Sequence, residues 1–197
     1  MEKRDINKTR QSIVAAAEEL MAENSDPDKV TSRTIAQRAG VNAAMINYCF
    51  GSREELLYTV FRGLLSKAQA ARPELKELLN ADIPPFEKLV AVHTGIMKLM
   101  LEHFNYAQAI TKYIIMNRDL MTGLDSFELV KACFSGKKSD EECRMITFQL
   151  TSLHELSVLR HEELRKYCGT DLRDDAQLAA FARRNIGKFL EIQEDFL

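Results

Sequence analysis

The sequence predicts an all-α protein, and three observations carry that prediction. Apolar residues recur at the helical period of about 3.6 along most of the chain, and no useful stretch alternates at the period of a strand. Glycine and proline are scarce, 8 and 4 among 197 residues. Several periodic segments open on a Ser, Asn or Asp followed three residues later by Glu or Gln, the pattern that satisfies the free N–H groups of a helix start. Hydrophobic residues make up 46% of the chain, enough for a packed core and too many for a disordered chain. The length fits one domain or two small ones.

Lys8 to Glu23 places Ile13, Val14, Ala17, Leu20 and Met21 on one helical stripe. Asn24 to Asp28 is a loop by composition. Thr31 can cap the next helix, about Ser32 to Ala39, with Val30 and Ile35 as a hydrophobic staple. Gly40 supplies the positive φ of a sharp turn. Asn42 can cap a short helix to Phe50, with Val41 and Ile46 as a second staple. Ile46 and Phe50 then point inward, and Ala43, Ala44, Asn47 and Tyr48 point outward. Gly51 ends that helix, and Ser52 with Glu55 opens another through Leu56, Val60 and Leu64 to about Ala71, where Arg72-Pro73 breaks it.

Two short helices joined by a tight glycine turn form the helix-turn-helix pattern, whose second helix enters the DNA major groove. The charge distribution agrees. The net charge is −2, yet Lys29 to Arg53 carries Lys29, Arg33, Arg38 and Arg53 and no acid. A basic face on an otherwise acidic chain suits a polyanion. Arg38 is expected to face an acid or solvent rather than DNA.

Past Asn80 to Pro85 the chain reads as longer helices: about Pro85 to Phe104, then one opened by Asn105 with Gln108 to about Asn117. A shorter one lies within Thr122 to Phe134. Ser139 with Glu142 opens a helix to about Cys168, closed by Gly169, and Asp174 with Gln177 opens the last, to about Glu194. The stripes Ile146, Leu150, Leu153, Leu156, Leu164 and Leu178, Phe181, Ala182, Ile186, Phe189, Leu190 run along these two.

The residues from Thr31-Ser-Arg-Thr-Ile-Ala to Ala39-Gly-Val-Asn42, then Ile46-Asn-Tyr-Cys-Phe-Gly-Ser-Arg-Glu-Glu-Leu56, resemble the TetR family of bacterial and archaeal transcriptional regulators. The likeness covers about residues 8 to 61. It implies a helix-turn-helix DNA-binding head at residues 1–53 and a helical ligand-binding and dimerisation domain at residues 54–197. It also implies a homodimer through the two C-terminal helices and a palindromic double-stranded DNA operator. Carried over by position, Ser32, Arg33 and Thr34 lie where members touch DNA from the first helix of the motif. Asn42, Ala43, Ala44, Asn47 and Tyr48 lie on the groove-facing helix, and Arg53 at a phosphate position. The chain departs from the pattern at Cys49, where an aromatic residue or His is common, and at Ala43, where Lys or a polar residue is frequent. Base reading is therefore expected from Asn47, Tyr48 and Arg33.

A small-molecule effector is implied as well. Met97, Met100, Phe104, Tyr113, Met116 and Phe127 are candidates to line its site, since Met and aromatic side chains suit an apolar ligand. The competing reading is an ordinary helical core. Met121 belongs to the same run.

Other chemistry finds no footing. His154 and His161 are seven residues apart on a helix, about 10 Å, too far for one metal, and His93 and His103 read as isolated. The four cysteines show no CxxC pair, so neither a zinc site nor a disulfide framework is indicated. No nucleophile triad or phosphate loop stands out, and no enzymatic activity and no cofactor are expected. The N-terminal MEKRDINKTR lacks the apolar core of a signal peptide. No apolar run reaches membrane-spanning length, and a cytoplasmic location is expected. The expected function is a repressor released from its operator by a small molecule. The alternatives are a regulator controlled by a protein partner, and a helical interaction or carrier protein whose head no longer binds DNA.

Overall fold

The structure, a computed structural model, describes residues 3–24, 26–70, 77–78, 80–117, 120 and 126–191. Among them the regular elements are helices alone: α1 Lys3–Glu23, a 3-10 turn at Pro27–Lys29, α2 Ser32–Ala39, α3 Ala44–Phe50, α4 Arg53–Ala70, α5 Pro85–Glu102, α6 Phe104–Asn117, α7 Phe127–Phe134, α8 Asp140–Leu159, α9 His161–Cys168 and α10 Asp175–Phe189. The all-α prediction holds. The break expected at Arg72-Pro73 and Met121 fall outside the described residues. α7 lies within the expected Thr122 to Phe134, and α10 ends at Phe189, capped by Leu190 with Glu191 at φ 58°, short of the expected Glu194.

The chain divides into two compact units, residues 1–68 with 103–118, and residues 69–102 with 119–197. In the first, α1, α2 and α3 pack on one another. Ile13, Ala17, Ile35, Ile46, Leu56 and Leu57 form its buried centre. Each large aliphatic side chain so buried favours the fold by about 1.5–3 kcal/mol. α6 belongs to this unit. The Tyr106 hydroxyl donates to the Glu18 carbonyl of α1 at 2.8 Å. The Tyr113 hydroxyl donates to the Glu55 carboxylate of α4, and the Tyr113 ring lies 5.7 Å from that of Tyr58.

In the second unit α5 packs against α7, α8 and α10. Leu89 and Val90 of α5 meet Val130, Phe134, Cys143, Leu150, Ile186 and Leu190 in one buried cluster. Ion pairs tie α5 to α10, Glu87 to Arg183 at 2.5 Å and Lys98 to Asp175 at 2.6 Å. The Ser139–Glu142 box closes in both directions, and Asp174 caps α10 by accepting from the Gln177 N–H.

The structure corrects several further expectations. α1 starts at Lys3 rather than Lys8. α6 opens at Phe104, because the His103 carbonyl accepts the N–H groups of both Tyr106 and Ala107. Asn105 therefore lies inside the first turn and does not cap it. The helix expected to run from Ser139 to Cys168 breaks at Arg160, whose φ of −107° and ψ of 25° leave the helical region. At the break His161 Nδ1–H donates to the Val158 carbonyl at 3.0 Å, and Arg173 Nε–H donates to His161 Nε2 at 3.1 Å. Leu156, on the expected α8 stripe, is 53% exposed.

The inward face of α8 is Cys143, Thr147, Leu150, His154, Ser157 and Val158. Three of these are polar, and two neutralise themselves. Thr147 and Ser157 donate to the carbonyls of Cys143 and Leu153, four residues back, both at 2.7 Å. His154 instead meets His93 of α5, their Nδ1 atoms 2.9 Å apart. His93 is thus not isolated, a second point at which spacing along the chain misled. Met145, Phe148 and Leu156 form a separate, exposed row on α8.

Gly40 takes φ +67°, ψ 31° between α2 and α3, and nothing lies within 4 Å of where a Cβ would stand. Gly40→Ala should therefore cost about 1–2 kcal/mol from the backbone alone, without crowding. Urea unfolding checks this. An unchanged midpoint would mean that the turn relaxes to another conformation.

Candidate nucleic-acid interface

The head is built around the start and end of α2 and α3. Thr31 caps α2 through a reciprocal pair of bonds. The Thr34 N–H donates to Thr31 Oγ1 at 3.1 Å, and the Thr31 N–H donates to Thr34 Oγ1 at 2.9 Å. Thr34 Oγ1 thus takes part in the cap. Ser32 is half-buried in the first helical turn, and Arg33 beside it is exposed.

α3 follows the turn at Gly40. Asn42 Oδ1 accepts from the Ala44 N–H at 2.9 Å, and the Asn42 carbonyl accepts from Met45. Asn42 therefore opens the helix as expected, although regular geometry begins two residues later. Ile46, Cys49 and Phe50 are buried, while Ala43, Ala44, Asn47 and Tyr48 are exposed. Tyr48, at 67% exposure, is not packed on α1. The outward row is thus two methyl groups, an amide and a phenol. Small residues at the helix start let a backbone approach closely, and the amide offers a donor and an acceptor at once.

Arg53 stands half-buried at the start of α4. Its Nε–H donates to the Val30 carbonyl at 2.5 Å, and Nη1 pairs with Glu54 at 3.2 Å. It joins α4 to the segment before α2. Arg38 pairs with Glu19 and Glu23 of α1 at 3.3 and 2.8 Å, as expected.

Arg10 was not singled out from the sequence. Its guanidinium donates to the Cys49 carbonyl at the end of α3 and lies 4.2 Å over the Phe50 ring. A cation on the last carbonyls of a helix also opposes the helix dipole. No linear signal links residues 39 apart, so this tether becomes visible only in the fold.

The candidate effector residues are not brought together in one unit. Met97, Met100 and Phe127 lie in the second. Met97 and Met100 are buried, and Phe127 carries the Arg144 guanidinium 4.4 Å over its ring. Phe104, Tyr113 and Met116 lie in the first unit. There Tyr113 is bonded to Glu55, and Met116 is exposed. Among the described residues no group of three or more His, Cys, Asp or Glu could hold a metal ion. Among them also, no helix is long and apolar enough to cross a membrane.

Helices α2 and α3, with a positive-φ glycine between them and one face of α3 buried, form a helix-turn-helix. Residues 13–60 match the family model of the bacterial regulatory proteins, tetR family. The whole chain has the fold of a TetR transcriptional regulator from Rhodococcus sp. RHA1, with a TM-score of 0.58 over 98% of this chain and 100% of that one, at 15% identity. A TetR-like transcriptional regulator from the same organism matches with a TM-score of 0.52 over 94% and 97%, also at 15% identity. No curated protein matches the sequence. The family likeness spans residues 13–60, and the chain has the fold of these two regulators.

Proposed function

We propose that the chain is a homodimeric, sequence-specific DNA-binding regulator of the cytoplasm, a repressor released from a palindromic operator by a small molecule, with no catalytic activity of its own. The observation that carries this reading is the outward row of α3, Ala43, Ala44, Asn47 and Tyr48, set against the buried Ile46, Cys49 and Phe50. In this reading residues 1–53 read DNA, and residues 54–197 carry effector binding and dimerisation. Arg53 fixes the register on phosphates, while Arg33, Asn47 and Tyr48 read base edges. A single head makes few contacts, so two half-sites about one helical turn apart are required. The effector acts only through its differential affinity for the DNA-competent and incompetent states.

Fluorescence anisotropy with the DNA upstream of the chain's own coding sequence tests it. Preference for that DNA over random duplex, lost on mutating α3, is expected. Equal affinity for both would overturn the reading in favour of a carrier or interaction protein.

The exposed row Met145, Phe148 and Leu156 on α8 supports the dimer, since a self-complementary apolar stripe meets its own copy across a two-fold axis. Phe148→Glu should convert a dimer to a monomer in sedimentation without lowering the thermal midpoint of an isolated subunit. It should also lower operator affinity by 100-fold or more. A wild-type monomer at micromolar concentration would overturn the dimer.

A further inference from the structure

The second unit contains a polar cluster that neither DNA reading nor dimerisation uses. His93 and His154 are 4% and 3% exposed. Their rings meet edge to face, centroids 4.9 Å and planes 70° apart, and the Phe181 ring of α10 lies 6.1 Å from His154. A bond between two neutral imidazoles uses one Nδ1–H as donor and one bare Nδ1 as acceptor. The donor ring then has a bare Nε2, and the acceptor ring has a protonated Nε2. Neither Nε2 meets a hydrogen-bond partner among the described residues. Folded proteins leave few buried polar atoms unpaired, and each one calls for an explanation.

The surroundings limit what could complete the pair. One turn away on the same faces stand Leu89, Val90 and Met97 of α5 and Leu150 and Val158 of α8, all buried and apolar. Two imidazoles leave a divalent ion short of ligands, and no third His, Cys, Asp or Glu joins them in a metal-sized group among the described residues. Burial holds both rings in the neutral form. A charged ligand head would be stripped of water beside two uncharged rings, at high cost. A hydroxyl or carboxamide supplies the missing donor and acceptor together.

We infer that the Nε2 edges of His93 and His154 are the polar anchor of a ligand site, and that its ligand is a neutral molecule with an apolar body and a hydroxyl or carboxamide head. The inference deepens the reading of the chain as an effector-responsive regulator and rests on it for the consequence of binding. Met97, a candidate effector residue, shares the helix face of His93.

The test uses the full chain labelled with 15N in its histidine rings, titrated separately with 1-octanol, octanamide, octanoate and octylammonium. His93→Gln and His154→Gln assign the resonances. Octanol or octanamide is expected to move the Nε2 signals of His93 and His154 and leave those of His103 unmoved. The neutral probes should bind at least tenfold more tightly than the charged ones, and each Gln variant should weaken binding tenfold or more. Silent Nε2 signals with all four probes, or equal binding of the charged probes, would overturn the site. Operator affinity is followed in parallel. Operator release with silent ring nitrogens overturns the site and leaves the effector reading standing. Moving ring nitrogens with unchanged operator affinity establish the site and sink the effector reading.

Discussion

Lowering the pH from 7 to 5.5 is expected to reduce the unfolding free energy by about 2.5 kcal/mol, before the carboxylates titrate appreciably. The cause is the His93–His154 pair. Burial pushes the His93 ring down to about 4 from its ordinary 6.5. Burial, and then the charge of His93 when protonated, pushes His154 down to about 3. The unfolded chain takes up protons on both rings as the pH falls through 6.5, and the folded chain does not. The stabilisation is therefore fully present above 6.5. It is lost at up to about 1.4 kcal/mol per pH unit for each ring as the pH falls, until the folded values near 4 and 3 are reached. Glu87 and Asp140, held low by Arg183 and Lys131, add their losses only below their ordinary 4.5 and 3.8. The window from 6.5 to about 5 thus isolates histidine. Urea unfolding at pH 7, 6.25 and 5.5 measures the slope. His154→Gln should roughly halve it, whatever the variant's own stability. Equal midpoints for the wild-type chain at pH 7 and 5.5 would mean that the rings are charged or hydrated in the folded state.

The same pair shows where sequence reading stops. Helix starts are local: Thr31, Ser139 and Asp174 each bond an N–H three residues on, so a window of four letters contains the whole interaction. The turn at Gly40 is local for the same reason. The head was legible because its motif is a run of such local events at fixed spacing. The inward face of α8 was not, because the periodicity argument looks for apolar letters. Thr147 and Ser157 are polar by letter and buried in fact, once each hydroxyl returns to the carbonyl one turn back. His93 and His154 are 61 residues apart, as Arg10 and Cys49 are 39 apart, and no pattern along the chain encodes such meetings. The same limit applies to the effector candidates. Met and aromatic composition singled out six residues, but the fold divides them between two units.

Asn47→Ala is expected to abolish about 1–3 kcal/mol of preference at one or two operator positions, while leaving affinity for random DNA and the thermal midpoint unchanged. The side chain is exposed and lies outside the buried core, so its removal leaves the packing of the head in place. Its amide matches the donor and acceptor of adenine in the major groove, so the affected positions should be A·T pairs. Arg53→Ala is expected to behave oppositely. It should weaken binding to every sequence and reduce the salt slope by about one. It should also lower the thermal midpoint, because Arg53 Nε holds the Val30 carbonyl at 2.5 Å. The two variants therefore separate on three axes: sequence preference, salt dependence and stability. Competition titrations at two salt concentrations with a set of single-substituted operators read the first two, and thermal melts read the third. An Asn47→Ala variant that loses affinity equally on operator and random DNA would remove Asn47 from base reading. Specificity would then rest on Tyr48 and Arg33, both exposed in the head.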